Sequence, residues 1–310
     1  MDKNQGNSGK RGLFLADLLR GIGIGVAFII PGFSGGSVAA ILGIYERLVG
    51  AIASIFKSFK SSITTVLPIG IGMVVGAISL LFPLKWTLGT VPFPTVSLFV
   101  GLTLGCLPSL YENIRGRITV SNAVAFALPM VLTLLLSFAP IGSEVDLSSP
   151  GPLGYLLLLL VGIVGSSALV IPGISGSMLL LMLGYYNPIV VMITDLIKGV
   201  LRGSFAGGLT SVAVLATLAL GICIGFIGIS VIMKKLFEVC KRGTYFAIIG
   251  FIIGSLPTVY SSTYKDGGFT PETLPASPLH WIGCAAMLAL GIAIAYGFFL
   301  LAKRKNARNK

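Results

Sequence analysis

The chain has 310 residues, 55% of them hydrophobic and only 10% charged, with 22 Lys and Arg against 10 Asp and Glu. A soluble domain carries roughly 25% charged residues, so this chain lacks the polar surface that a water-soluble fold needs. It reads as an all-α polytopic membrane protein. In chain order the apolar segments lie at about 13–30, 36–56, 64–84, 95–111, 121–140, 153–171, 177–197, 208–233, 244–260 and 280–302. Most are close to the ~20 residues that carry a helix across hydrocarbon, and the short alternating segments of a barrel are not seen. The N-terminus is basic and then apolar, as a signal peptide would be. Asp17 and Arg20 interrupt the apolar run and no small-x-small cleavage site follows, so it reads as a retained first segment.

The net charge of +12 is explained by placement rather than by a nucleic-acid partner. With the N-terminus cytoplasmic and every segment crossing, sixteen Lys and Arg fall on the cytoplasmic side, clustered at 3–11, 57–60, 115–117, 234–242 and 303–310. Only Lys85, Lys198, Arg202 and Lys265 fall on the other side, together with the acidic loop at 139–152. This is the positive-inside pattern, and it implies attraction to anionic lipid. Both termini are expected to be cytoplasmic. Cys106, Cys223, Cys240 and Cys284 have no CxxC spacing and His280 is the only histidine, so no metal site or His-based triad is expected.

The chain is duplicated. A shift of 141 aligns Pro31-Gly32, Ser34-Gly35, Leu42-Gly43, Tyr45 and Lys57 with Pro172-Gly173, Ser175-Gly176, Leu183-Gly184, Tyr186 and Lys198. A shift of 149 then aligns Gly72, Gly76, Lys85, Gly101, Gly105, Pro108 and Tyr111 with Gly221, Gly225, Lys234, Gly250, Gly254, Pro257 and Tyr260. The resulting organisation is a basic tail (1–12), a first repeat (13–140), an extracytoplasmic linker (141–152), a second repeat (153–302) and a basic tail (303–310). Five segments per copy, or three if the first two form a re-entrant hairpin, leave the second copy upside down. Inverted repeats of this kind are common among transporters.

Each copy carries a polar, helix-breaking knot in apolar sequence: "IIPGFSGGSVAAILGIYERL" at 29–48 and "VIPGISGSMLLLMLGYYNPI" at 170–189. Non-helical backbone at membrane depth is tolerated only when buried in protein or lining a watery cavity. Pro31, Gly32, Pro172 and Gly173 are therefore expected to break or re-enter the helix. New half-helices, starting at about Ser37 and Ser177, would aim their N–H groups at an anion such as phosphate. Ser34, Gly35, Gly36, Ser37, Ser175, Gly176 and Ser177 are the candidate cradle. The plain alternative is a pair of kinks with small residues for helix packing; recurrence in both halves favours a site.

A charge at the bilayer centre costs about 2.5–3.5 kcal/mol on insertion scales, so each charged residue within the apolar segments needs a partner or water. Asp17 and Arg20, three apart, can pair on one face, and Asp195 lies near the end of its segment. Arg47 is the expected phosphate partner, with Arg20 as a second candidate. Glu46 is expected as the counter-ion of Arg47 or as a coupling group, as is Asp17. In the second copy these become Asn187-Pro188, so the halves differ electrostatically. Tyr45 and Tyr186 could contact a headgroup, and Pro108 and Pro257 read as helix terminators.

With these motifs in view, "GIGIGVAFIIPGFSGGSVAAILGIYERLV" and "ALVIPGISGSMLLLMLGYYNPI" resemble the polyprenyl-phosphate translocase family over nearly the whole chain. The resemblance implies a transporter, not an enzyme, that returns undecaprenyl phosphate from the outer to the cytoplasmic leaflet by alternating access and so recycles the carrier of peptidoglycan synthesis. Its partner would be that lipid or a related polyprenyl phosphate. A proton or sodium gradient could drive it, with no bound cofactor, and an oligomer is compatible with this reading. Family members often carry a polar residue just before the first motif, where this chain has Phe28. Two other readings stay open: a small-anion channel or transporter, since broken helices bind chloride or sulfate as well, and a membrane undecaprenyl-pyrophosphate phosphatase. Against the latter, such enzymes follow their PG-x-S with arginine where this chain has Gly35 and Gly176, and Glu46 has no carboxylate neighbour at helical spacing.

Overall fold

Glycine spacing organises the helices. The computed structural model describes residues 3–29, 35–138, 142–172, 176–201, 208–265 and 278–308. They form α1 (Lys3–Ile29), α2 (Gly35–Ile41), α3 (Tyr45–Ala53), α4 (Phe59–Thr90), α5 (Pro92–Tyr111), α6 (Val120–Phe138), α7 (Pro152–Val170), α8 (Gly176–Met182), α9 (Tyr186–Leu201), α10 (Gly208–Lys265) and α11 (Pro278–Arg308). No strand occurs among the described residues, and the chain is an all-α polytopic membrane protein. Phe59–Leu80, Pro92–Tyr111, Pro152–Val170, Leu209–Pro257 and Pro278–Gly297 are long and apolar enough to span a bilayer.

Four helix pairs approach backbone to backbone. A Cβ at Gly21 or Gly25 would overlap the carbonyl oxygens of Ile69 or Met73, and one at Gly72 or Gly76 those of Leu18 or Ile22. Residue numbers rise together, so α1 and α4 run parallel. Gly221 and Gly225 meet Leu159 and Ile163 in the same way, which makes α7 parallel to the first half of α10. Gly101 and Gly105 press on Leu288 and Ile292 of α11, while Gly250 and Gly254 press on Phe126 and Met130 of α6. Each glycine pair has the four-residue spacing that lets membrane helices touch over a long seam, where dispersion must replace the hydrophobic effect. The glycines equated by the shift of 149 thus make corresponding contacts. Buried hydroxyls stay satisfied inside their own helices: Ser97, Thr103, Ser230 and Thr133 donate to the carbonyl four residues back, as lipid burial demands.

Several sequence expectations need adjustment. The segment at 36–56 is two helices, α2 and α3, bent by 119°, and the segment at 177–197 is likewise split into α8 and α9. The cause is the shared Leu-Gly step. Gly43 and Gly184 have φ of 68° and 76°, and the N–H groups of Gly43 and Ile44 donate to Ala40 and Ala39, as those of Gly184 and Tyr185 do to Leu181 and Leu180. That is a Schellman helix end. Pro108 and Pro257 do not terminate helices: α5 continues to Tyr111 and α10 to Lys265. The segments at 208–233 and 244–260 join through a kink at Cys240, whose φ of −141° is not helical. There the Thr244 hydroxyl donates to the Cys240 and Leu236 carbonyls, at 2.9 and 3.1 Å.

Gly76→Leu is expected to lower the stability of the detergent-solubilised protein by at least the 1–3 kcal/mol of an overpacked core. Gly89 has nothing within 4 Å of an added Cβ, so Gly89→Ala should stay within about 0.5 kcal/mol of the parent. Thermal unfolding of the two variants side by side checks both.

Candidate functional site

The site is organised by the first turn of α3. Consecutive residues of an α-helix project roughly 100° apart, so Tyr45, Glu46 and Arg47 reach three different partners. The Tyr45 hydroxyl donates to the carbonyl of Val170 at 2.6 Å. Val170 ends α7, where the last carbonyls of a helix lack intrahelical donors. Glu46 accepts from the Tyr245 hydroxyl at 2.6 Å and from Lys241 Nζ at 2.9 Å, both just beyond the α10 kink. Arg47 donates to Asp17 of α1. Phe237 sits edge-on to both Tyr45 and Tyr245, with ring centroids 5.7 and 5.5 Å away, and so bridges the kink.

Asp17 is 2% exposed and also accepts from Arg20 at 3.1 Å, while the two arginine side chains remain 37–38% exposed. One buried carboxylate therefore holds two guanidiniums whose remaining donors reach outward, leaving the cluster one positive charge in excess. The expectation that Glu46 is the counter-ion of Arg47 is corrected here: Asp17 takes that place, and Glu46 is engaged by Lys241 and Tyr245. A carboxylate one residue from Arg47 on the same helix projects to another side, whereas Asp17 faces it from α1.

The start of α2 lies against the end of α7. A Cβ on Gly36 would sit 3.1 Å from the Val170 oxygen and 3.3 Å from the Pro172 nitrogen, and one on Gly35 would strike the Phe28 ring. Ser37 is buried. Gly176 approaches Ala168, and Ser177 lies in the first turn of α8. The described parts of α2 and α8 begin at Gly35 and Gly176, within two residues of the restarts expected at about Ser37 and Ser177. Pro31, Gly32, Ser34, Gly173 and Ser175 lie outside the described residues. Over the seven residues described for each, α2 and α8 place their opposite poles only about 10 Å apart. Tyr186 is half-buried at the start of α9, Asn187 donates to Glu144 at 2.8 Å, and Asp195 pairs with Lys198 at 3.9 Å.

Two cavities flank the α2–α3 elbow. One is a polar recess of about 570 Å³ lined by Gly43, Glu46, Arg47, Asn113, Lys241 and Tyr245. The other is an apolar pocket of about 170 Å³ whose walls include Ile24, Phe28, Gly35, Gly36, Tyr45 and Ile69. Lys241, Tyr245 and Asn113 were not singled out by the sequence. Lys241 looked like one more basic loop residue, and nothing local shows that the α10 kink carries it to Glu46. Among the described residues, no three His, Cys, Asp or Glu side chains gather as a metal site would require.

Residues 24–270 match the family described as undecaprenyl phosphate translocase-like. The chain belongs to that family. It is 30% identical over 289 residues to a polyprenyl-phosphate transporter of Staphylococcus aureus, covering 90% of this chain and 94% of the relative. It is 23% identical to a polyprenyl-phosphate transporter of Vibrio cholerae, covering 94% and 97% of the two chains. No solved structure matches the chain.

Removing one arginine leaves Asp17 a partner, and removing both leaves a buried unpaired charge. Arg20→Ala combined with Arg47→Ala should therefore destabilise by more than the sum of the single changes, approaching the roughly 3–5 kcal/mol of a broken buried pair. Adding Asp17→Asn should recover part of the loss. Unfolding midpoints of the four variants give the cycle.

Proposed function

We propose that this protein transports a polyprenyl phosphate, undecaprenyl phosphate in particular, from the outer to the inner leaflet of the bacterial cytoplasmic membrane, recycling the carrier for envelope synthesis. The reading is supported by the family and, within the chain, by one observation above the rest: Arg20 and Arg47 share the single carboxylate of Asp17. A lipid phosphate is the anion that complements this surplus charge. The apolar pocket beside Gly35 and Gly36 suits the first stretch of an isoprenoid chain, with the remainder left in lipid. The serines and glycines of the two knots complete the headgroup cradle.

Movement is by alternating access between two inverted repeats, residues 13–140 and 153–302, with both termini cytoplasmic. Support comes from the matched glycine seams and the matched Schellman elbows at Gly43 and Gly184. A proton or sodium gradient drives the inward step. The Tyr45, Glu46 and Arg47 contacts join four elements at the elbow, so a rocking motion breaks or preserves them together.

Purified protein in liposomes should move undecaprenyl phosphate between leaflets. Arg47→Ala, which leaves Asp17 paired with Arg20, should slow this at least tenfold while the protein stays folded, since charge-assisted contacts to phosphate are among the stronger hydrogen bonds. Sulfate or chloride flux without lipid movement would contradict the proposal.

A further inference from the structure

We propose that the recess between Arg47 and Lys241 is a headgroup station for a lipid phosphate monoester, with Lys241 as a second cationic ligand and Glu46 as the internal anion that occupies it when empty. The inference rests on the transport reading above and adds residues and a working role to it. Lys241 and Arg242 are adjacent, but the structure gives them different tasks. Arg242 donates twice to the Ile114 carbonyl, at 2.9 and 3.1 Å, and stacks over the Phe246 ring. It fixes the loop after α5. Lys241 lines the recess with its side chain 57% exposed and pairs with the Glu46 carboxylate at 2.9 Å. Arg47 lines the same recess.

An ammonium held by a carboxylate at an open mouth is easily exchanged, because exposed pairs contribute little. A phosphate monoester brings up to two negative charges and three acceptor oxygens. It could bridge Arg47 and Lys241, leaving Glu46 with the Tyr245 hydroxyl. The recess is formally one positive charge in excess, with Arg47 and Lys241 against Glu46.

The corresponding mouth of the second half is built for the opposite sign. A cavity of about 920 Å³ there is lined by Asn187 and Pro188, the positions equated with Glu46 and Arg47, and by Lys198 against Glu144, Asp146 and Asp195. It is formally two negative charges in excess. Hydrogen bonds from the Ser148 hydroxyl and from its backbone N–H, the latter at 2.8 Å, lower the Asp146 carboxyl from its ordinary value. Asp17 and Arg20 likewise become Leu158 and Val161 in the second copy, both buried. An anionic headgroup is thus retained at one mouth and repelled at the other, which gives a symmetric scaffold a preferred side.

The test is binding of farnesyl phosphate to the full-length protein in nanodiscs by calorimetry, with farnesol and inorganic phosphate as separate probes, beside the liposome transport assay. Lys241→Gln should weaken farnesyl phosphate about tenfold and Lys241→Arg should restore most of it, as expected for a charged ligand to phosphate. Glu46→Gln, which keeps a hydrogen-bonding group for Tyr245, should tighten binding several-fold by removing the competing anion. Asp146→Asn, at the other mouth, should change it less than twofold. Unchanged affinity in both Lys241→Gln and Glu46→Gln, with wild-type transport intact, would overturn the station and leave the transport reading standing. Absence of lipid movement by the wild type would overturn both. Inorganic phosphate binding as tightly as farnesyl phosphate would overturn the lipid assignment in favour of a small-anion site.

Discussion

Three successive side chains hold this molecule together at its most vulnerable point. Tyr45, Glu46 and Arg47 follow a tight Gly43 elbow and fasten, respectively, to the end of α7, to the kinked middle of α10 and to a buried carboxylate on α1. A membrane interior gives helices no hydrophobic reason to associate, and a seven-residue helix such as α2 cannot hold its place by its own backbone bonds. Polar contacts of high directionality do that work instead. Without them, the Gly36 backbone would have nothing to keep it against Val170 and Pro172, and the two helix breaks would separate.

The same contacts explain why charge is tolerated here. Asp17 is buried but doubly paired, and each guanidinium keeps part of its surface free. The arrangement leaves the three-residue cluster one positive charge in excess. The second half keeps the glycine seams and the elbow but replaces the charged set with Leu158, Val161, Asn187 and Pro188. The glycine seams and elbows are therefore common to the two halves, while the Asp17, Arg20 and Arg47 cluster belongs to one.

Much of the fold was legible because lipid imposes simple rules. Apolar segment lengths located the long helices, and α7 ends at Val170, where the second knot begins. The glycines at 72, 76, 101 and 105 aligned with 221, 225, 250 and 254 because each must let a neighbouring backbone approach. What escaped was set by conformation rather than composition. The Leu-Gly steps were read as matched motif residues of the two copies and are helix ends in a positive-φ conformation. Pro257 looked like a stop, yet it lies inside a continuing helix. At the site, Asp17, Arg20 and Arg47 were visible as charges in the wrong solvent and the Asp17–Arg20 pair was expected, but Arg47 joining it from α3 was not. Glu46 adjoins Arg47 in sequence and faces elsewhere, because a helix turns neighbours apart. Lys241 was hidden among loop cations, since only the bend at Cys240 brings it to Glu46.

The most direct measurement is a cross-link between the two breaks. In protein lacking Cys106, Cys223, Cys240 and Cys284, with Gly36→Cys and Pro172→Cys introduced and a protease site placed in the 142–151 loop, oxidation should keep the two cleaved halves joined on a denaturing gel. The close approach of these positions, with a Cβ at 36 about 3.4 Å from the Pro172 Cα, lies within reach of a disulfide. Halves that separate after oxidation, while the protein remains folded, would contradict the account at its centre.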